Sequence, residues 1–134
     1  MPTWIDTVDI EVLKIAFQHT SAQHLISTPE GKVLWANRAF SRWMRYTLHE
    51  LTQMSWKDFS ANDKELENDI AEVAKLDGYQ ISYTVQKRYI PRDGRPESGL
   101  LHVIRYPLNG PIECCICTWE PLNESNSEAM TAAI

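Results

Sequence analysis

The chain has 134 residues, the length of one domain, and 13 basic against 18 acidic side chains leave it at −5. That balance argues against a general nucleic-acid binder, which needs a basic face to neutralise phosphates. With 43% apolar and 23% charged residues, the composition is that of a globular protein, not a disordered one.

No apolar run approaches the ~18 residues needed to span a bilayer, and Met1–Asp9 lacks the basic-then-apolar pattern of a signal peptide. A cytoplasmic place is expected, with no membrane partner. The three cysteines crowd into Cys114, Cys115 and Cys117. On a strand, 114 and 115 point to opposite faces, so they predict no disulfide framework, which fits a reducing compartment.

The first predicted element is a short amphipathic helix from about Ile10 to Phe17. Ile10, Leu13 and Phe17 form its stripe, with Val12 and Ala16 beside them. A hairpin follows, Gln23–Ser27 and Lys32–Ala36, joined through Thr28-Pro29-Glu30-Gly31, whose proline and glycine suit a type I turn. Asn37 is placed to cap the next helix, where Phe40, Trp43 and Met44 share a face. Thr47-Leu48-His49-Glu50 has the form of a capping box. Trp56 is expected on a loop.

Leu66, Ile70, Val73 and Leu76 recur at helical spacing, so a helix is predicted over 61–76, with Gly78 as its C-terminal cap. Tyr79–Ile90 alternates as a strand. Asp93-Gly94 signals a hairpin turn, and a second strand runs from about Gly99 to Tyr106. Asn109-Gly110 turns again, and Ile112–Glu120 is the third strand, ended by Pro121. The order is α+β with an antiparallel sheet.

Three stretches together resemble the PAS domain family of sensory modules: TPEGKVLWANRAFSRWM (Thr28–Met44), YTLHEL (Tyr46–Leu51) and SWKDFSANDKELENDIAEVAKLDGYQISYTVQKRYIPRDGRP (Ser55–Pro96). The resemblance covers about Phe17 to Leu122. It implies a five-stranded antiparallel sheet in the order 2-1-5-4-3, helices on one face, a small pocket between them, and an N-terminal flanking helix. The organisation expected is a flanking helix over 1–16, the PAS domain over 17–122 and a polar tail over 123–134. Asn37, Phe40, Trp43, Leu51, Trp56, Phe59, Leu66, Ile70, Ile81, Tyr83, Leu101, Val103 and Ile116 are expected near the pocket. Thr118-Trp119-Glu120-Pro121 stands where such sensors commonly carry Asp-Ile-Thr and lead into a signalling coiled coil. The expectation is therefore a module that regulates in trans.

No cofactor is assigned. A light-sensing flavin adduct needs a cysteine just after the Asn that follows the second strand and its helix. All three cysteines lie on the last strand, which excludes it. Haem is disfavoured because the helix 61–76 has no histidine to ligate it. A non-covalent flavin is disfavoured against a core filled by Trp35, Trp43, Trp56 and Phe59. Cys115 and Cys117 share one strand face without a second pair elsewhere, so no metal site is expected. No catalytic motif such as G-x-S-x-G, a P-loop or H-E-x-x-H occurs, and no enzyme activity is expected.

The function expected is a sensory or regulatory module that binds a small apolar or aromatic ligand, a regulatory protein partner, or both, as a homodimer with Trp4, Ile5, Val8 and Leu13 at the interface. The alternatives are a structural dimerisation module with a filled core, or the sensor part of a longer DNA-binding regulator.

Overall fold

The computed structural model describes residues 10–61, 63–77 and 80–122. Its elements are α1 (Ile10–Gln18), β1 (Gln23–Ser27), β2 (Val33–Ala36), α2 (Arg38–Met44), α3 (Leu48–Leu51), a 3-10 turn (Trp56–Phe59), α4 (Asp63–Ala74), β3 (Ser82–Tyr89), β4 (Glu97–Tyr106) and β5 (Cys114–Pro121). The strands form one antiparallel sheet in the order β2-β1-β5-β4-β3. No helix among the described residues is long and apolar enough to cross a membrane.

Local chemistry places most boundaries. Gly31 donates to the Thr28 carbonyl at 3.0 Å and has a φ of 112°, which lets the chain turn into β2. Asn37 Oδ1 accepts from the Phe40 N–H at 2.9 Å and starts α2. Both halves of the Thr47/Glu50 capping box are formed ahead of α3. The loop expected at Trp56 is instead a 3-10 turn, because Ser55 and Asp58 form a second capping box there.

The long helix is shorter than its periodicity predicts, Asp63–Ala74 rather than 61–76. Leu76 is still buried beyond its end. The expected cap at Gly78 lies outside the described residues. Pro121 is the last paired residue of β5, opposite Gly99, where its missing N–H costs no interior ladder bond.

The two faces of the sheet carry two cores. On the inner face, Leu25, Val103, Cys117 and Trp119 meet Phe40, Met44, Leu51, Trp56 and Phe59 from α2, α3 and the 3-10 turn. On the outer face, Ile26, Trp35, Cys114 and Ile116 are covered by Leu13 and Phe17 of α1. The stripe predicted for α1 is therefore only partly used, and Val12 and Ala16 face solvent. The expected boundary between residues 16 and 17 falls inside this helix.

Candidate cavity in the inner core

The candidate site is a small space between the inner sheet face and the helices. The sheet contributes Ser27, Tyr83, Tyr89, Leu101, Val103, Cys115 and Cys117, and the cover contributes Trp56, Asp69 and Val73. Strand register explains the floor. Val103 lies between Tyr83 and Cys117 across the ladder, and Ser27 lies opposite Cys115, so all point the same way. The free volume is about 10 Å³, room for roughly one water molecule.

Besides its phenols and thiols, the lining carries a hydroxyl and a carboxylate. Ser27 is 1% exposed, and its hydroxyl makes no hydrogen bond among the described residues. It lies beside the Cys117 thiol, a weak partner. Asp69 is also buried, but it is paired with the buried ammonium of Lys87. Lys87 Nζ further donates to Ser60 Oγ at 3.1 Å and sits 4.8 Å from the Tyr89 ring centroid. Charge at this wall is thus held by opposite charge and by a ring face.

Burial pushes the Cys115 thiol up to about 11 and the Cys117 thiol higher still. Burial likewise raises the Tyr83 and Tyr89 phenols. At neutral pH these groups are protonated, and such thiols are poor nucleophiles. No group of three His, Cys, Asp or Glu among the described residues is arranged to hold a metal ion.

Four of the residues expected at the pocket line the cavity: Trp56, Tyr83, Leu101 and Val103. Phe40, Leu51 and Phe59 are fully buried in the surrounding core, and Trp43 and Leu66 pack against it half-buried. Asn37 is buried and spends its amide on backbone, so it does not reach the cavity. Its Oδ1 also accepts from the His24 N–H at 3.0 Å, and its Nδ2 donates to the carbonyls of Phe17 and Ala22, both at 2.8 Å.

Three expected positions lie away from the cavity lining. Ile70 is 46% exposed because α4 turns Asp69 and Val73 inward. Ile81 precedes β3 and is 37% exposed. Ile116 points to the outer face, since it pairs with Ile26 and Ile104 rather than with the inward residues of its neighbours. Trp4, Ile5 and Val8 lie outside the described residues. Leu13, expected at a dimer interface, packs on the chain's own sheet.

Sequence reasoning missed Ser27, Asp69, Val73, Tyr89, Cys115 and Cys117. The spacing of Cys115 and Cys117 was the available signal, because residues two apart on a strand share a face. Lys87 and Arg92, near the turn between β3 and β4, are both engaged. Lys87 is buried, and Arg92 pairs with Glu50 while its guanidinium lies 4.4 Å from the Tyr46 ring centroid.

The arrangement of strands and helices matches solved structures closely in shape. A PAS domain of an HTR-like protein from Haloarcula marismortui superposes with a TM-score of 0.70 at 18% identity, over 84% of this chain and 91% of that one. The fold is that of a PAS domain. A PAS domain from Colwellia psychrerythraea gives a TM-score of 0.73 at 15% identity, over 85% of this chain and 98% of that one. A third PAS domain, from a LuxR-family transcriptional regulator of Burkholderia thailandensis in complex with ethanol, gives 0.68 at 16%, over 81% and 96%. The sequence matches no protein-family model and no curated protein. Shape is shared where side chains are not, as expected of a fold that hosts many functions.

Proposed function

We propose that this PAS-fold chain is a sensory or regulatory module that acts by binding and not by catalysis. A small apolar or aromatic ligand enters the inner cavity, and the change is passed in trans to a partner protein of the cytoplasm. The observation that carries the reading is the cavity itself, apolar over most of its lining and holding one buried hydroxyl, Ser27, with no neighbour stronger than the weak Cys117 thiol. A buried unpaired hydroxyl costs about 1–3 kcal/mol, which a ligand hydroxyl or a water would recover. The ethanol complex of a PAS domain of the same shape supports a ligand of that chemistry.

With room for about one water, anything larger must displace Val73 or Tyr83. Both join α4 or β3 to the core, so the liganded and empty states differ in that region. A ligand shifts the balance between them only through that difference.

The test is a thermal-denaturation screen with ethanol, phenol and indole as probes, on the wild-type chain and on Val73→Ala, which enlarges the cavity. A rise in Tm with at least one probe, larger in Val73→Ala, is expected. No shift in either protein would remove the ligand reading and leave the second one, an interaction module with a filled core. That second reading draws on the smallness of the cavity and on Val12 and Ile15, which are 55% and 65% exposed on α1.

A further inference from the structure

The two edges of the sheet are treated differently. β2 is four residues long and is covered. Its flank is bridged by Lys32 to Ser55, Val33 donates to the Met54 carbonyl at 3.1 Å, and the ladder beside it is bulged at Ile26/Ser27. β3, at the other edge, runs eight residues in unbroken register with β4.

The register decides which β3 groups are spare. Arg105 donates to the Ile81 carbonyl, so odd-numbered residues of β3 exchange bonds with β4, and the N–H and C=O groups of even-numbered ones point to the open side. Ile90 N–H uses that side to reach the Phe59 carbonyl at 2.8 Å. The backbone groups of Ser82, Thr84 and Gln86 have no such partner among the described residues, and all three residues are exposed. A cleft of about 570 Å³ runs along this edge, walled on its far side by Asn68, Asp69, Ala71 and Glu72 of α4 and by Lys75 just beyond its end.

Natural edge strands are usually protected by a charge, a proline or a bulge. Ser82–Gln86 has none. It is also self-complementary. Antiparallel pairing with a second copy about a two-fold axis at Thr84 sets Thr84 against Thr84 and Ser82 against Gln86, joined by the spare groups of each. The inward side chains then pair Tyr83 with Val85, a favourable aromatic and β-branched match. Both are half-buried in the single chain. Lys87 falls opposite Ile81 and Arg88 opposite Gln80, so no like charges meet. The charged groups of this wall are already paired, Glu72 with Lys75 at 3.1 Å and Asp69 with Lys87.

We propose that two copies of this chain join β3 to β3, making one continuous ten-stranded sheet. The interface shares Tyr83 with the cavity lining, but its strand pairing needs no ligand. A contact made by one strand pair is small, so the association is weak, roughly micromolar or weaker.

Sedimentation of the full chain tests this from about 10 to about 300 µM. A monomer–dimer equilibrium is expected for the wild type. Thr84→Lys and Thr84→Glu each set like charges on the axis and should be monomeric, while an equimolar mixture of the two should dimerise again. Thermal melts of both variants, unchanged from wild type, establish that the fold persists. Amide exchange supplies a second readout. Thr84 and Gln86 N–H should exchange roughly two- to fourfold more slowly at the high concentration than at the low one. A wild type that stays monomeric overturns the proposal. So does a dimer that Thr84→Lys leaves intact with the Thr84 and Gln86 amides unprotected, as would occur if the copies met through α1.

Discussion

Asn37 uses all of its hydrogen-bonding capacity: two backbone N–H groups reach its oxygen and two backbone carbonyls its nitrogen. One side chain thereby ties the end of α1, the start of β1 and the start of α2. Its role as a helix cap was legible from its place before Arg38. The other three bonds join residues up to 20 positions away, which local spacing does not encode. Asn37→Asp keeps the shape but sets a carboxylate against two carbonyls. It should destabilise the protein by at least about 2 kcal/mol, read as a lower urea midpoint. Gly99 is constrained by space: a Cβ there would lie 2.4 Å from the Trp119 ring. Gly99→Ala should cost about 1–3 kcal/mol by overpacking, and a melt that matches wild type would show that the Trp119 ring can move aside. Lys87→Met strands the buried Asp69 carboxylate, leaving among the described residues only the Ser60 hydroxyl at 3.5 Å. A loss of about 3–5 kcal/mol is expected in denaturant titration.

Among the elements, those with local capping chemistry were legible in sequence. Thr47 and Glu50 set the start of α3 through their own side chains, and Arg38 follows a capping Asn. The bounds of α4 and β3 were less so, because apolar periodicity runs past the point where the helix geometry stops. The docking of α1 should depend on pH. Phe17 stacks on His24 with ring centroids 4.0 Å apart, and His24 Nδ1 meets Thr118 Oγ1 at 3.0 Å. Burial lowers the His24 pKa below its ordinary 6.5, so as pH falls the unfolded chain takes up the proton first. The stability is whole above pH 6.5 and is lost as pH falls from there through the lower folded value. The urea midpoint should therefore fall between about pH 7 and about pH 5, and His24→Gln should flatten that slope. Glu50, held below its ordinary 4.5 by the Thr47 N–H and then by Arg92, acts in a separate window that opens only below 4.5.

At the scale of the molecule, one sheet serves two cores of unequal weight. The inner core stacks Trp43 on Trp119 and Trp119 on Tyr89, with centroids 4.6 and 4.9 Å apart, and sets Phe59 edge-on to Tyr89. The outer core is a few side chains under α1. Truncation should report the difference. Phe59→Ala, at a fully buried position, should cost about 3–5 kcal/mol. Phe17→Ala, at a half-buried one, should cost less than half as much and should expose the outer face near Ile26 to faster amide exchange while the inner core stays protected. Equal losses would mean that the two faces unfold as one unit.

The sequence by itself determined the PAS-like order of elements, the five-stranded sheet and its strand order, and the capping residues, because these follow from short-range periodicity, turn chemistry and a resemblance carried by contiguous motifs. Only the tertiary structure decided which residues meet in the cavity. A strand's two faces are distinguished by its neighbours, not by its own composition: Cys115, Ile116 and Cys117 are all apolar, and the register with β1 and β4 alone turns the cysteines inward and the isoleucine out. The same holds for Asp69, an acid on the buried side of α4, which is stable there because β3 brings Lys87 to it from 18 residues away.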